Sequence, residues 1–152
     1  MFRDITPLLG SAAAFGRSID DLVSRFHDVE VERVVGVESR GFILAAPVAY
    51  RLRAGFVPVR KAGKLPWAVA REEYGLEYGN GKLEIHRDAI HPGERILVVD
   101  DVLATGGTAA ATCRLIETLG GTIVGVGVLI EITELNGRVR LGEHRVESLT
   151  TY

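Results

Sequence analysis

Ile96-Leu97-Val98-Val99-Asp100-Asp101-Val102-Leu103-Ala104-Thr105-Gly106-Gly107-Thr108 runs from an unbroken apolar tetrad through two adjacent carboxylates into a turn of small residues. A β-branched and leucine run with no polar alternation is the pattern of a strand buried on both faces. The pattern from 106 to 119 is helical and is closed by Gly120-Gly121, after which 123–130 is again an apolar run. Strand, helix and strand in this order make a crossover unit of a parallel sheet. The first strand is expected to end at Asp100-Asp101, placing both acids where such sheets bind ligands, at the carboxyl ends of their strands.

The turn after the acids has the makings of an anion site. Backbone N–H groups from Thr105 to Thr108 converge at a helix start, the positive end of the helix dipole adds to them, and two threonine hydroxyls supply further donors. Asp100 and Asp101 stand one short loop away, suited to two vicinal ribose hydroxyls. The combination reads as a cradle for a ribose phosphate. It lacks the Gly-x-x-x-x-Gly-Lys-Ser/Thr of a nucleoside-triphosphate loop and the Gly-x-Gly-x-x-Gly of a dinucleotide fold.

Outward from this segment, Phe15, Ile19, Leu22, Val23 and Phe26 predict a helix of about four turns starting near Ser11. Val34-Val35-Gly36-Val37 predicts a strand, Glu38-Ser39-Arg40-Gly41 a loop, and 42–52 a helix containing Pro47. Phe56-Val57-Pro58-Val59 predicts a strand whose proline favours an edge or a strand end. The stretch 61–81 reads as a long loop, of a length usual for lids and binding loops. Leu83 and Ile85 alternate with polar neighbours over 82–86 as in a half-buried strand, so the loop can also be the arm of a long hairpin. The expected fold is α/β: a mostly parallel twisted sheet with helices on both faces and a long hairpin lid over about 61–85, in one domain spanning 1–152.

Length and composition agree with that class. The chain has 152 residues, 47% of them hydrophobic and 25% charged, which excludes a disordered, collagen-like or coiled-coil chain. A net charge of -2 provides no basic field for nucleic acid or an anionic membrane. The longest apolar runs are about half a bilayer span, and the amino terminus lacks the apolar core of a signal peptide. Cys113 is the lone cysteine, expected to be an inert helix core residue, and a reducing, cytoplasmic setting fits it. His27, His86, His91 and His144 show no metal-ligand spacing. Trp67 is expected to be a packing anchor.

The thirteen residues quoted first resemble the phosphoribosyl pyrophosphate signature of type I phosphoribosyltransferases, and the chain as a whole resembles the adenine branch of that family. Four further segments match in order: Phe2-Arg3-Asp4-Ile5-Thr6, Glu38-Ser39-Arg40-Gly41-Phe42, Val59-Arg60-Lys61-Ala62-Gly63-Lys64-Leu65-Pro66, and Leu76-Glu77-Tyr78-Gly79 followed by Leu83-Glu84-Ile85. Ala104 stands where hypoxanthine and guanine enzymes of the family place an aspartate, which favours adenine.

The resemblance implies transfer of ribose 5-phosphate from phosphoribosyl pyrophosphate to adenine, giving adenosine monophosphate and pyrophosphate. It implies a ribose 5-phosphate site at Asp100, Asp101, Ala104, Thr105, Gly106, Gly107 and Thr108, and a pyrophosphate clamp of Ser39, Arg40, Arg60, Lys61 and Lys64. Glu77 and Tyr78 are the implied catalytic pair in the lid, and Phe2, Arg3 and Ile132 the implied adenine contacts. Magnesium (Mg2+) is expected through the substrate, with no protein ligand set, and a homodimer is expected. Family members carry a further amino-terminal segment that helps form a hood over the base, so a reduced hood is expected. Two other readings have the same chemistry on another purine base, or a non-catalytic regulator that senses phosphoribosyl pyrophosphate.

Overall fold

In a computed structural model, the structure describes residues 4–76 and 79–152. The chain opens with α1 (Thr6–Gly10) and α2 (Ala12–Arg25), the latter capped by the Ser11 hydroxyl accepting the Ala14 N–H. The helix predicted from Phe15 to Phe26 is this α2, with Ile19, Leu22 and Phe26 buried. β1 (Arg33–Val37) leads into α3 (Arg40–Leu52), and β2 (Gly55–Lys61) follows beside β1. After the hairpin of β3 (Val69–Leu76) and β4 (Gly79–His86) come β5 (Arg95–Leu103), α4 (Gly107–Thr118) and β6 (Thr122–Glu131). Two short 3-10 turns, Thr133–Leu135 and Gly137–Leu141, connect to β7 (Val146–Thr151).

The strands form one sheet in the order β3-β4-β2-β1-β5-β6-β7, parallel from β2 to β7 with the antiparallel hairpin added at one edge. β1 and β5 lie at its centre, and Val34, Val35 and 96–99 of these strands are fully buried, as an apolar run without alternation requires. One face packs against α2 and α3 through Val34, Leu97 and Val99; the other packs against α4 through Val35, Ile96 and Val98. Helices on both faces follow from right-handed crossovers that leave the sheet on opposite sides. Pro58 fits this frame. Gly55 N–H and Val59 C=O bond towards β1, so the two-residue alternation turns the Pro58 nitrogen away from β1, to the side where β4 joins only at Arg60 and Lys61.

Several expectations change. The strand through the acids does not stop at Asp100-Asp101 but continues to Leu103, because Asp100, Val102 and Leu103 still pair with β6. Of the two readings of 61–81, the hairpin arm is the one observed: among the described residues only 62–68 is irregular, and 69–76 pairs residue for residue with β4. Its pattern hides the strand because Glu72 shares the inward face with Ala70 and Tyr74. β4 is not simply half-buried. Glu84 on its polar face is 2% exposed, where it accepts the Gly63 N–H at 2.6 Å and the Arg71 Nε at 2.8 Å. Trp67 is 70% exposed and is no packing anchor within the chain. Cys113 is buried, and burial raises its thiol pKa to about 12. α1 and β7 had no distinct sequence signal.

Candidate active site

The connections from β1 and β5, neighbours at the centre of the sheet, leave in opposite directions, β1 towards β2 and β5 towards β6. A crevice opens where such connections diverge. It holds a cavity of about 540 Å³, lined by the loops after β1, β5 and β6 together with Lys61 at the end of β2. That size suits a small organic substrate.

Two loops face each other across the crevice. From β1 come Glu38, Ser39 and Arg40, with the Glu38-Ser39 peptide in the cis form, and α3 starts directly behind them. Gly41 allows this helix to reach the acids: a Cβ there would stand 2.7 Å from Asp100 Oδ1 and 3.3 Å from the Val99 carbonyl oxygen. From β5 come Asp100 and Asp101, followed by the 104–108 turn. Arg40 Nε donates to Asp101 Oδ2 at 2.5 Å, tying the loops together. Asp100 Oδ1 accepts the Asp101 N–H at 2.9 Å. Desolvation, reinforced by the neighbouring Asp101 carboxylate, pushes the Asp100 pKa well above its ordinary range, with Arg40 opposing.

The turn has the geometry its glycines suggest. Gly106 caps α4 with φ 83°, a left-handed conformation that favours glycine. The first intrahelical bond runs from the Ala110 N–H to the Gly106 carbonyl, so the N–H groups of Gly107, Thr108 and Ala109 have no helical acceptor. No acidic residue stands in the first turn of α4. Donors and dipole are therefore available to an anion. The Gly137 carbonyl presses on Gly106 from behind so closely that a Cβ on either glycine would collide with the opposing backbone.

The cavity brings together Ser39, Arg40, Lys61, Asp100, Asp101, Ala104, Thr105, Gly106, Gly107, Thr108 and Ile132 of the residues singled out in the sequence. Arg60 and Lys64 are not in its lining. Arg60 Nε and Lys64 Nζ instead meet the two oxygens of Glu38 at 2.7 and 3.0 Å. The Glu38 side chain is 5% exposed; burial opposes its charge, but the Lys64 and Arg60 hydrogen bonds outweigh it and hold the pKa below the usual value. Phe2, Arg3, Glu77 and Tyr78 lie outside the described residues. Sequence reasoning missed Tyr74 and Leu83, which line the cavity from the hairpin. Tyr74 pairs with Gly81 and lies across it, leaving no room for a Cβ there. The even spacing of Ala70 and Tyr74 is the signal available, and Glu72 between them obscures it.

Among the described residues, no group of three or more His, Cys, Asp or Glu side chains could hold a metal ion. No described helix is long and apolar enough to cross a membrane.

Comparison with known proteins gives a consistent result. The family model described as phosphoribosyl transferase domain matches residues 9–150. The chain is 56% identical over 151 residues to the adenine phosphoribosyltransferase of Roseiflexus castenholzii, covering 99% of this chain and 88% of that protein. Its fold superposes with TM-score 0.97 on the crystal structure of adenine phosphoribosyltransferase from Thermoanaerobacter pseudethanolicus, at 47% identity, over 99% of this chain and 88% of that one. The Saccharomyces cerevisiae adenine phosphoribosyltransferase, solved with an imino-altritol bisphosphate and adenine, gives TM-score 0.92 at 39% identity, covering 97% of this chain and 86% of that one.

Proposed function

The chain belongs to the adenine phosphoribosyltransferases, and we propose that it converts adenine and phosphoribosyl pyrophosphate to adenosine monophosphate and pyrophosphate in the crevice between β1 and β5. The observation that carries this reading is the meeting of Asp100 and Asp101 with the N–H groups of Gly107, Thr108 and Ala109, which have no helical acceptor, in one cavity of about 540 Å³. The turn takes the 5′-phosphate through backbone and threonine donors. The acids take the ribose hydroxyls, and Ala104 leaves room beside them for the sugar.

Departure of pyrophosphate leaves positive charge on the anomeric carbon and adds negative charge to the leaving group. Ser39 at the start of α3, Arg40 and Lys61 hold that leaving group, a role supported by their lining the cavity. Arg60 and Lys64 complete the clamp by exchanging the Glu38 carboxylate for pyrophosphate. Glu77 serves the attacking purine as proton donor or charge partner at the second ring nitrogen, and Tyr78 covers the reacting centre. Phe2, Arg3 and Ile132 hold the base. Closure of the 61–85 arm keeps water from the activated sugar.

Magnesium fits this chemistry through the substrate. The ion would arrive with the substrate and keep much of its hydration, and Asp100 and Asp101 would meet it through the ribose hydroxyls or water. When bound, the ion neutralises charge on the pyrophosphate. We read the chain as one domain acting in a homodimer in the cytoplasm. The exposed apolar side chains Ile43 and Tyr50 on α3 and Phe56 on β2 support association, and the lone buried Cys113 fits a reducing compartment.

The test is pyrophosphate release from phosphoribosyl pyrophosphate and magnesium with adenine, hypoxanthine, guanine and xanthine supplied separately. Release with adenine alone is expected. Release with another base in preference to adenine would overturn the specificity, and none with any base would overturn the activity.

A further inference from the structure

The 3-10 turn Gly137–Leu141 supports the anion cradle from behind, and the last arginine in it has no assigned purpose. Gly137 abuts Gly106 and Ala104 backbone to backbone. The next residue, Arg138, locks the turn to the end of β6, its Nε and Nη2 donating to Glu131 at 2.7 and 2.8 Å and its Nη1 to the Val146 carbonyl at 2.9 Å. Ser148 completes the Glu131 shell at 2.9 Å. A turn so fixed delivers its side chains to defined places.

Arg140 is delivered to the start of α4. The point where a Cβ on Gly107 would stand is 3.8 Å from Arg140 Nη1 and 3.8 Å from Thr105 Oγ1. Other arginines around α4 and β7 are satisfied: Arg114 by Glu72, Arg138 by Glu131, and Arg145 by Asp28 and Glu147. Arg140 makes no hydrogen bond or ion pair with any described residue. Arg140 is not in the lining of the cavity of about 540 Å³ but lines a separate depression with Glu117 and Glu143, where Glu117 is engaged by His144 at 2.9 Å, so its route to the phosphate is along the start of α4. An unpaired guanidinium beside backbone donors with no helical acceptor adds full charge to a site otherwise built from partial charges.

We propose that Arg140 is a further binding residue for the 5′-phosphate of the ribosyl substrate, held at the cradle by the Glu131–Arg138 anchor. The proposal rests on the ribose phosphate reading of the 105–108 turn. Its contribution is selective for ligands that carry the phosphate.

Arg140→Met keeps an apolar stem and removes the charge; Arg140→Lys keeps the charge. Binding of adenosine monophosphate and of adenosine is measured by calorimetry on both variants and the parent, with thermal melting to check folding. The expected result for Arg140→Met is about a tenfold loss for the monophosphate, under twofold for adenosine, and a larger KM for phosphoribosyl pyrophosphate than for adenine. Arg140→Lys recovers part of the loss. Equal weakening of both ligands, or no weakening of either, overturns the proposal. Adenine-dependent pyrophosphate release by the parent is followed alongside, so failure of the parent reaction is seen separately from failure of Arg140.

Discussion

Arg40 Nε stands 2.5 Å from Asp101 Oδ2, so a cation from the loop after β1 and an anion from the end of β5 are bonded to each other across the crevice. The Asp101 side chain is 8% exposed and Arg40 is 45% exposed. The pair therefore has one buried anchor and one arm open to solvent, and the exposed arm adds little to stability. Its value lies in holding both groups at the cavity. On the proposed reading, pyrophosphate on one side and ribose hydroxyls on the other supply each with a replacement partner.

Replacing Asp100 and Asp101 together by Asn is expected to lower kcat/KM by at least about a hundredfold, near 2.7 kcal/mol of transition-state stabilisation. Asn keeps the shape, so thermal melting is expected to remain cooperative. Unchanged turnover would remove the acids from the ribose site.

Buried and half-buried carboxylates respond to pH in opposite senses. Glu38, Glu84, Glu94 and Glu131 have pKa values lowered from 4.5; their stabilisation is full above that value and is lost as pH falls through the lower folded ones. Asp100 is raised from 3.8, so its contribution is full below that and is lost as pH rises towards the folded value. Glu38→Gln is thus expected to lower Tm at pH 7, and Asp100→Asn to raise it, each by a few degrees. Both differences shrink in melts near pH 4. The same sign for the two variants at pH 7 would refute the assignment.

Glu77→Gln is expected to reduce kcat about a hundredfold with less than a threefold change in either KM, as removal of a transition-state interaction does. Steady-state kinetics with each substrate varied decides this. A rise in KM alone would make Glu77 a binding residue.

Two glycines give a contrast. At Gly137 a Cβ would meet the Ala104 carbonyl and stand 3.1 Å from the Gly106 nitrogen, whereas at Gly16 in α2 nothing lies within 4 Å. Gly137→Ala is expected to raise the KM for phosphoribosyl pyrophosphate about tenfold by displacing the turn. Gly16→Ala is expected to raise stability by about 0.5–1 kcal/mol in denaturant unfolding, without changing either KM. Equal effects at the two positions would show that the Gly106–Gly137 contact does not shape the cradle.

The central sheet could be read from the chain because its signals are local. An apolar run such as Ile96 to Val99 admits little but a buried strand, and the acid pair and Thr-Gly-Gly-Thr turn that follow are contiguous, so their chemistry survives without knowledge of the fold. The same locality made α2 and α4 legible from their apolar stripes and end signals. The glycine turn, the acids and the parallel crossover were thus determined by the sequence alone. Tertiary structure decided what depends on partners distant along the chain. The 69–76 strand needs β4 to pair with it, since Glu72 spoils its alternation. Burial of Glu38 and Glu84 needs Arg60, Lys64 and Arg71 to neutralise them, and no isolated glutamate announces such partners. The support of the cradle by Gly137 and the reach of Arg140 to Gly107 join residues about thirty positions apart, because the crossover through α4 and β6 returns the chain to the crevice it left.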